Sequence, residues 1–114
     1  MKTAQPVPDT ESGAPDSDIR REIADLFRIL GDPTRLGIVY ACLSVPMAAG
    51  DIAARLGISA SLASHHLRLL RAARLVRAER RGKNVYYVAA DEHVSRILDD
   101  MAAHAAEPVE EELL

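Results

Sequence analysis

Near the C-terminal end of this 114-residue chain, Asp91 and His93 are followed, after ten intervening residues, by His104 and then Glu107. Imidazole nitrogens and carboxylate oxygens are the donors that a borderline divalent metal takes. His93 and His104 stand eleven residues apart, close to three helical turns, so a single helix presents them on one face. At 1.5 Å per residue they are also about 16 Å apart along the axis, too far for one ion with bonds of about 2 Å. A second, antiparallel copy of the helix removes the difficulty. Asp91 and His93 of one copy then lie beside His104 and Glu107 of the other, giving two equivalent sites of two nitrogens and two oxygens. Such a set suits tetrahedral Zn(II), with Co(II) able to substitute. Four protein ligands also leave no open position for a reactive water, and with no nucleophile motif present this argues against a hydrolase. Asp100, one turn before His104, is an alternative to Glu107, and Glu110, Glu111 and Glu112 are more remote ones. The plainer reading is also open: paired histidines often sit on ordinary surfaces or interfaces, and acids at helix ends cap or solvate.

A second group of residues suggests polyanion chemistry. Between Ser59 and Tyr86 stand seven basic residues, Arg68, Arg71, Arg74, Arg77, Arg80, Arg81 and Lys83, against one acid, Glu79. The segment is therefore +6, and the remainder is −9 in a chain of formal net charge −3. A basic block in an acidic protein points to a polyanion-binding face rather than to evenly solvated arginines. The single cysteine, Cys42, excludes a disulfide framework within the chain and a four-thiolate metal site. Aromatics are 4% with no Trp, which argues against a large aromatic ligand cage.

These side chains need elements to position them. Residues 1–16, with Pro6, Pro8, Gly13 and Pro15, read as a disordered tail, residues 17–107 as one domain, and 108–114 as a frayed acidic tail. Ile19, Ile23, Leu26, Phe27 and Leu30 have helical spacing and predict a helix over Ser17–Leu30 with one buried stripe, stopped by Gly31 as a C′ residue. Asp32 as cap and Pro33 at the first position open a second helix, whose buried face is Leu36, Val39, Tyr40 and Leu43 and which Pro46 ends. A short helix over Ala49–Leu56, the turn Gly57-Ile58-Ser59 and a helix over Ala60–Ala73 form a helix-turn-helix, with Leu62, Ala63, Leu67 and Leu70 inward. The period then changes to two. Leu75–Arg80 and Asn84–Ala89 read as strands joined by Arg81-Gly82-Lys83, a wing. A last helix from Asp91 to Ala106 or Glu107 carries the stripe Val94, Ile97, Leu98, Met101 and Ala105. The fold class is mainly α with a small β-hairpin, a winged helix-turn-helix that pairs through its terminal helices.

This design suits duplex DNA, since the major groove admits a helix whose N-terminal residues meet base edges. Ser59, Ala60, Ser61, Ser64 and His65 sit at that end. Arg68 and Arg71 lie farther along and suit phosphates, and Arg80, Arg81 and Lys83 of the wing can reach backbone or minor groove. A helix-turn-helix used only for protein contact, or a helical metal buffer, would not need the basic block.

Leu26-Phe27-Arg28-Ile29-Leu30-Gly31-Asp32-Pro33-Thr34-Arg35-Leu36, Asp51-Ile52-Ala53-Ala54-Arg55-Leu56-Gly57-Ile58-Ser59 and Ser64-His65-His66-Leu67-Arg68-Leu69-Leu70-Arg71 together resemble the ArsR/SmtB metal-sensing repressors over about residues 17–107. The resemblance implies a winged-helix homodimer that represses transcription at a palindromic operator until an effector releases it. Asp91, His93, His104 and Glu107 match the C-terminal-helix sensor motif of the family's zinc-responsive branch. It further implies that His104 hydrogen-bonds, through its other nitrogen, to backbone near the end of the recognition helix, around Arg74. Thiolate sensors of the family carry Cys near the start of the third helix, whereas Val45–Asp51 has none here. The tails hold no His, so the extra ligands of a six-coordinate nickel or cobalt site are not evident, although Ni(II) and Co(II) stay open as effectors. His65 and His66 serve DNA contact and packing on this reading. Position 60, often Gln in relatives, is Ala60, so the operator does not transfer.

The expected function is a zinc-released repressor, not an enzyme. The alternative is a repressor of the same fold answering a non-metal signal such as redox state through Cys42. No apolar run approaches the roughly 18 residues of a membrane span, and no basic-then-apolar leader opens the chain, so a cytoplasmic protein is expected.

Overall fold

A computed structural model describes residues 13–109. Residues 1–12 of the expected tail 1–16 and residues 110–114 of the expected tail 108–114, and with them Glu110, Glu111 and Glu112, lie outside the described residues. Five helices and one hairpin follow in order: α1 Ser17–Leu30, α2 Pro33–Ser44, α3 Ala49–Leu56, α4 Ala60–Ala72, β1 Val76–Arg81, β2 Asn84–Ala89 and α5 Glu92–Ala106.

Short-range chemistry sets the helix starts. The side chains of Asp16, Asp32, Ser59 and Asp91 accept from the backbone N–H three residues on, each satisfying a donor that the first helical turn leaves unpaired. Gly57 closes α3 in the left-handed region, φ 67°, where a side chain is disfavoured. Gly31 closes α1 differently from expectation. It stays right-handed at φ −73°, its N–H donating to the Arg28 carbonyl at 3.2 Å, so the short hop to Asp32 needs no left-handed residue.

The core gathers on α2, which is packed by α1, α3, α4 and β2. Its buried residues are Ile38, Val39, Ala41 and Cys42, whereas the expected Leu36, Tyr40 and Leu43 are only half-buried. A helix covered on several sides buries small residues between its ridges as well as one stripe. Ile52, Leu67, Leu70, Leu75, Val76 and Leu98 complete the core. In α4 the expectation fails at two positions: Leu62 is 40% exposed, and His66 is buried instead.

β1 and β2 pair antiparallel from Val76↔Ala89 to Arg81↔Asn84. Arg81 therefore belongs to the strand, and the turn is Gly82-Lys83, with Gly82 at φ 64° as a tight two-residue hairpin requires. Met47, in the α2–α3 connection, exchanges two backbone hydrogen bonds with Tyr87 at 3.1 and 2.8 Å and fastens the hairpin to the helices. The Tyr40 hydroxyl donates to the Leu98 carbonyl at 2.6 Å and holds α5 on α2.

The α1 stripe is not buried as expected. Phe27 is 51% exposed, Ile19 and Ile23 are exposed, and Leu26 and Leu30 are half-buried. Ile23, Phe27, Ile97 and Met101, with Leu26, Leu30, Val94 and Leu98 beneath them, line an apolar groove of about 290 Å³ between α1 and α5.

Candidate nucleic-acid interface and metal-ligand pairs

Ser59 holds the start of α4 through its Oγ, which accepts from Leu62 N at 3.0 Å. Ala60, Ser61, Ser64, His65, Arg68 and Arg71 follow on the exposed side of the same helix. Ala63, Leu67 and Leu70 point into the core and fix that side outward. Buried His66 lies between α4 and α2, its Nδ1 3.5 Å from Arg35 Nη1. Arg35 also donates from Nε to the Ile29 carbonyl at 2.8 Å. The Asp32 carboxylate that caps α2 is held below its usual range, first by the Arg35 backbone N–H and also by the Arg35 charge. Sequence reasoning missed this joint between α1, α2 and α4, because it depends on a pair 31 residues apart.

Ser64, Arg68 and Arg71 line one depression together with Tyr87 of β2, a residue the sequence did not single out. Cations beside a hydroxyl and an aromatic edge fit a phosphodiester oxygen. In the hairpin, strand alternation separates the expected wing cations. Arg80 lies on the face of Val76 and Ala78, exposed. Arg81 lies on the opposite face with Arg77 and Glu79, its guanidinium 5.5 Å above the Tyr86 ring. Lys83 is exposed in the turn. Glu79 accepts from Arg77 at 2.7 Å and from Arg81 at 3.0 Å, and the Arg81 and Arg77 hydrogen bonds hold its carboxyl below the ordinary range.

The four candidate ligands all sit on or beside α5 and are exposed. Asp91 is its N-cap: Oδ1 accepts from Val94 N at 3.0 Å, which leaves Oδ2 for another partner. His93 is in the first turn, beside the α1–α5 groove. His104 is in the last turn, and Glu107 is the C-cap, its N–H donating to the His104 carbonyl. Asp100 is exposed one turn before His104. Among the described residues no three His, Cys, Asp or Glu come together within one chain. Each end of α5 thus offers one nitrogen and one oxygen, accessible and chemically suited to Zn(II), and the two ends meet only if a second chain brings them together. Asp91 and His93 border a broad depression with Arg71, Arg74 and Arg77, so the first pair lies beside the end of the recognition helix. Cys42 is 2% exposed, and burial pushes its thiol up to about 11.

Residues 32–78 match the model of a family described as bacterial regulatory protein, arsR family. The chain is 40% identical over 90 residues to a transcriptional repressor SmtB homolog of Synechocystis sp., covering 79% of this chain and 68% of that one. It is 42% identical over 79 residues to the HTH-type transcriptional regulator CmtR of Mycobacterium tuberculosis, covering 69% and 67%. Among solved structures, it is similar to the cadmium metal-sensor CMTR from Mycobacterium tuberculosis, with TM-score 0.64, 37% identity and coverage of 80% and 96%. It is also similar to a homodimeric winged helix-turn-helix DNA-binding domain from Mycobacterium bovis, with TM-score 0.73, 25% identity and coverage of 90% of each chain.

Proposed function

This chain belongs to the ArsR/SmtB family of bacterial regulatory proteins, and from that premise we propose that it is a homodimeric repressor released from operator DNA by Zn(II). It is a winged-helix transcriptional regulator and not an enzyme, as its relatives are named. The finer reading is carried by one observation: two N,O donor pairs stand at opposite ends of an α5 whose apolar face, with Ile97 and Met101, is exposed beside Phe27. A second copy laid antiparallel on that face covers it and joins Asp91 and His93 of each chain to His104 and Glu107 of the other. Residues 17–107 are the working unit.

Ser59, Ala60, Ser61, Ser64 and His65 would face base edges, and Arg68, Arg71, Arg80 and Lys83 would meet phosphates, while Arg81 of the wing is tied to Glu79. Asp91 and His93 of one chain, with His104 and Glu107 of the other, would hold zinc, which would supply a cross-link between the two α5 helices. The chain's residues translate this into DNA release. The first ligand pair borders the corner after α4, and His104, by family resemblance, hydrogen-bonds to backbone around Arg74. One dimer geometry then misplaces the paired α4 helices against successive major grooves. A coupling of about 1–3 kcal/mol changes affinity about 5- to 150-fold. Metal response weakens at acid pH because both histidines must be deprotonated to ligate.

Cadmium sensing, which the name of one relative prints, finds weaker support here because the only Cys is buried. Redox sensing through Cys42 is disfavoured on the same ground: a buried thiol held at about 11 is neither accessible nor ionised.

The test is fluorescence anisotropy of the dimer on its own upstream intergenic DNA, with and without a few equivalents of zinc. Apo binding with zinc release is expected, with H104N keeping DNA binding and losing the release. Binding indifferent to zinc, or normal release in H104N, would reject the mechanism. Cobalt and nickel titrations then rank the metals.

A further inference from the structure

Glu79 is the only acid between Ser59 and Tyr86, and it is placed to restrain two of the seven cations there. Strand alternation puts Arg77, Glu79 and Arg81 on one face of the hairpin, opposite Val88, Tyr86 and Asn84. Each carboxylate oxygen has its own partner: Oε2 accepts from Arg77 Nη1 at 2.7 Å and Oε1 from Arg81 Nη2 at 3.0 Å. The Arg81 guanidinium carbon also lies over the Tyr86 ring, 5.5 Å from its centroid, a second contact that favours this position. The Glu79 side chain is 28% exposed, against 56% and 58% for its two arginines, so the carboxylate is the covered centre of the network. Isolated surface ion pairs contribute little, but one carboxylate shared by two arginines, with an aromatic ring beneath one of them, is a network. Arg80, on the other face, and Lys83, in the turn, have no such partner among the described residues.

We propose that Glu79 is a specificity-determining residue of the DNA interface. By holding Arg77 and Arg81 along the outer face of the wing, it withholds them from phosphates and leaves sequence-independent attraction to α4, Arg80 and Lys83. This deepens the DNA-binding reading and rests on it. Non-specific affinity is almost wholly counterion release, with a slope of log K on log salt of about −0.9 per phosphate neutralised. Weak non-specific binding is what lets a regulator discriminate its site from competing duplex. A restrained wing keeps that background low without any change in the base-reading end of α4.

The experiment uses the full chain, a random-sequence duplex and the upstream intergenic duplex, titrated between about 50 and 200 mM salt. For E79Q we expect random-duplex binding to tighten about 3- to 10-fold at the low-salt end, with the slope steeper by about 1–2. The ratio of intergenic to random affinity should fall. The double-mutant cycle separates restraint from simple loss of a negative charge: R81A should cost at least about threefold more in the E79Q background than in the wild type. Equal cost in both backgrounds, or an E79Q slope equal to wild type, overturns the inference while leaving the DNA-binding reading intact. A wild-type chain that binds neither duplex at any salt overturns both. If E79Q folds poorly, R81A in the wild-type background decides alone: a slope shallower by a full phosphate contact shows Arg81 already engaged and rejects the restraint.

Discussion

On the proposed reading, the Asp91 carboxylate would have two duties. Its Oδ1 caps α5, and only Oδ2 is left for a metal. The two duties separate by substitution, because Asn caps as well as Asp but carries no charge. D91A should lower unfolding stability by about 1 kcal/mol in urea denaturation, while D91N should unfold near wild type. Both should weaken zinc in a chelator competition. Wild-type zinc affinity in D91N would remove Asp91 from the ligand set and turn attention to Asp100. Cys42 is the opposite kind of residue, defined by what burial denies it. Its thiol is held at about 11 against an ordinary 9.0. The unfolded chain therefore loses that proton first, so the contribution of this group to stability falls as pH rises past 9 and levels off near 11. Alkylation by iodoacetamide at about pH 8 should be at least about tenfold slower in the native chain than in urea, and similar rates would reopen the redox reading.

Among the elements, two corners frame the recognition helix, and both are left-handed. Gly57, at φ 67°, turns α3 toward α4, and a Cβ there would meet nothing within 4 Å. G57A is thus a nearly pure backbone test and should cost about 1–2 kcal/mol. Arg74, at φ 61°, is the one described non-glycine residue with positive φ and ends the corner after α4. There the Leu75 N–H returns to the Leu70 carbonyl at 2.9 Å. Its side chain meets Glu22 at 3.0 Å, but that pair is well exposed and contributes little. R74G should therefore leave stability unchanged or raise it by up to about 1 kcal/mol, the backbone relief outweighing the added freedom of the unfolded chain. A loss larger than that in thermal unfolding would mean that the Glu22 contact holds α1 against the corner. A variant with normal stability but altered zinc response would place the corner in the signal path.

At the scale of the molecule, the exposed apolar groove is the dominant fact. Phe27, Ile97 and Met101 are each more than two-fifths exposed on adjoining helices, although their spacing is that of a core-facing stripe. F27E or M101E should give a monomer by sedimentation velocity. Either should weaken operator binding more than any single phosphate contact, since a monomer meets only one half-site. Zinc affinity should fall with it, because each proposed site draws ligands from both chains. A dimer that survives both substitutions would put the interface elsewhere and dissolve the paired sites.

Local chemistry was legible in the residues themselves. Caps act over three residues, glycines and prolines act where they stand, and periodicity is counted along the chain. Asp32-Pro33, Gly57-Ile58-Ser59 and the change of period after Leu75 therefore placed the helices, the helix-turn-helix and the wing almost to the residue. Burial and partnership are different, because they depend on what another element brings alongside. His66 is buried and Leu62 exposed because α4 presents its His66 side to α2 and Arg35. Arg80 and Arg81 look alike in sequence, yet strand register sends them to opposite faces and gives only Arg81 to Glu79 and Tyr86. The α1 stripe reads as core by its spacing, but among the described residues only its Leu26 and Leu30 side packs on the core, while Ile19, Ile23 and Phe27 stay exposed. Spacing along a helix states which side chains share a face. Only tertiary packing decides which face finds a neighbour, since the contacts that bury a residue come from distant parts of the chain.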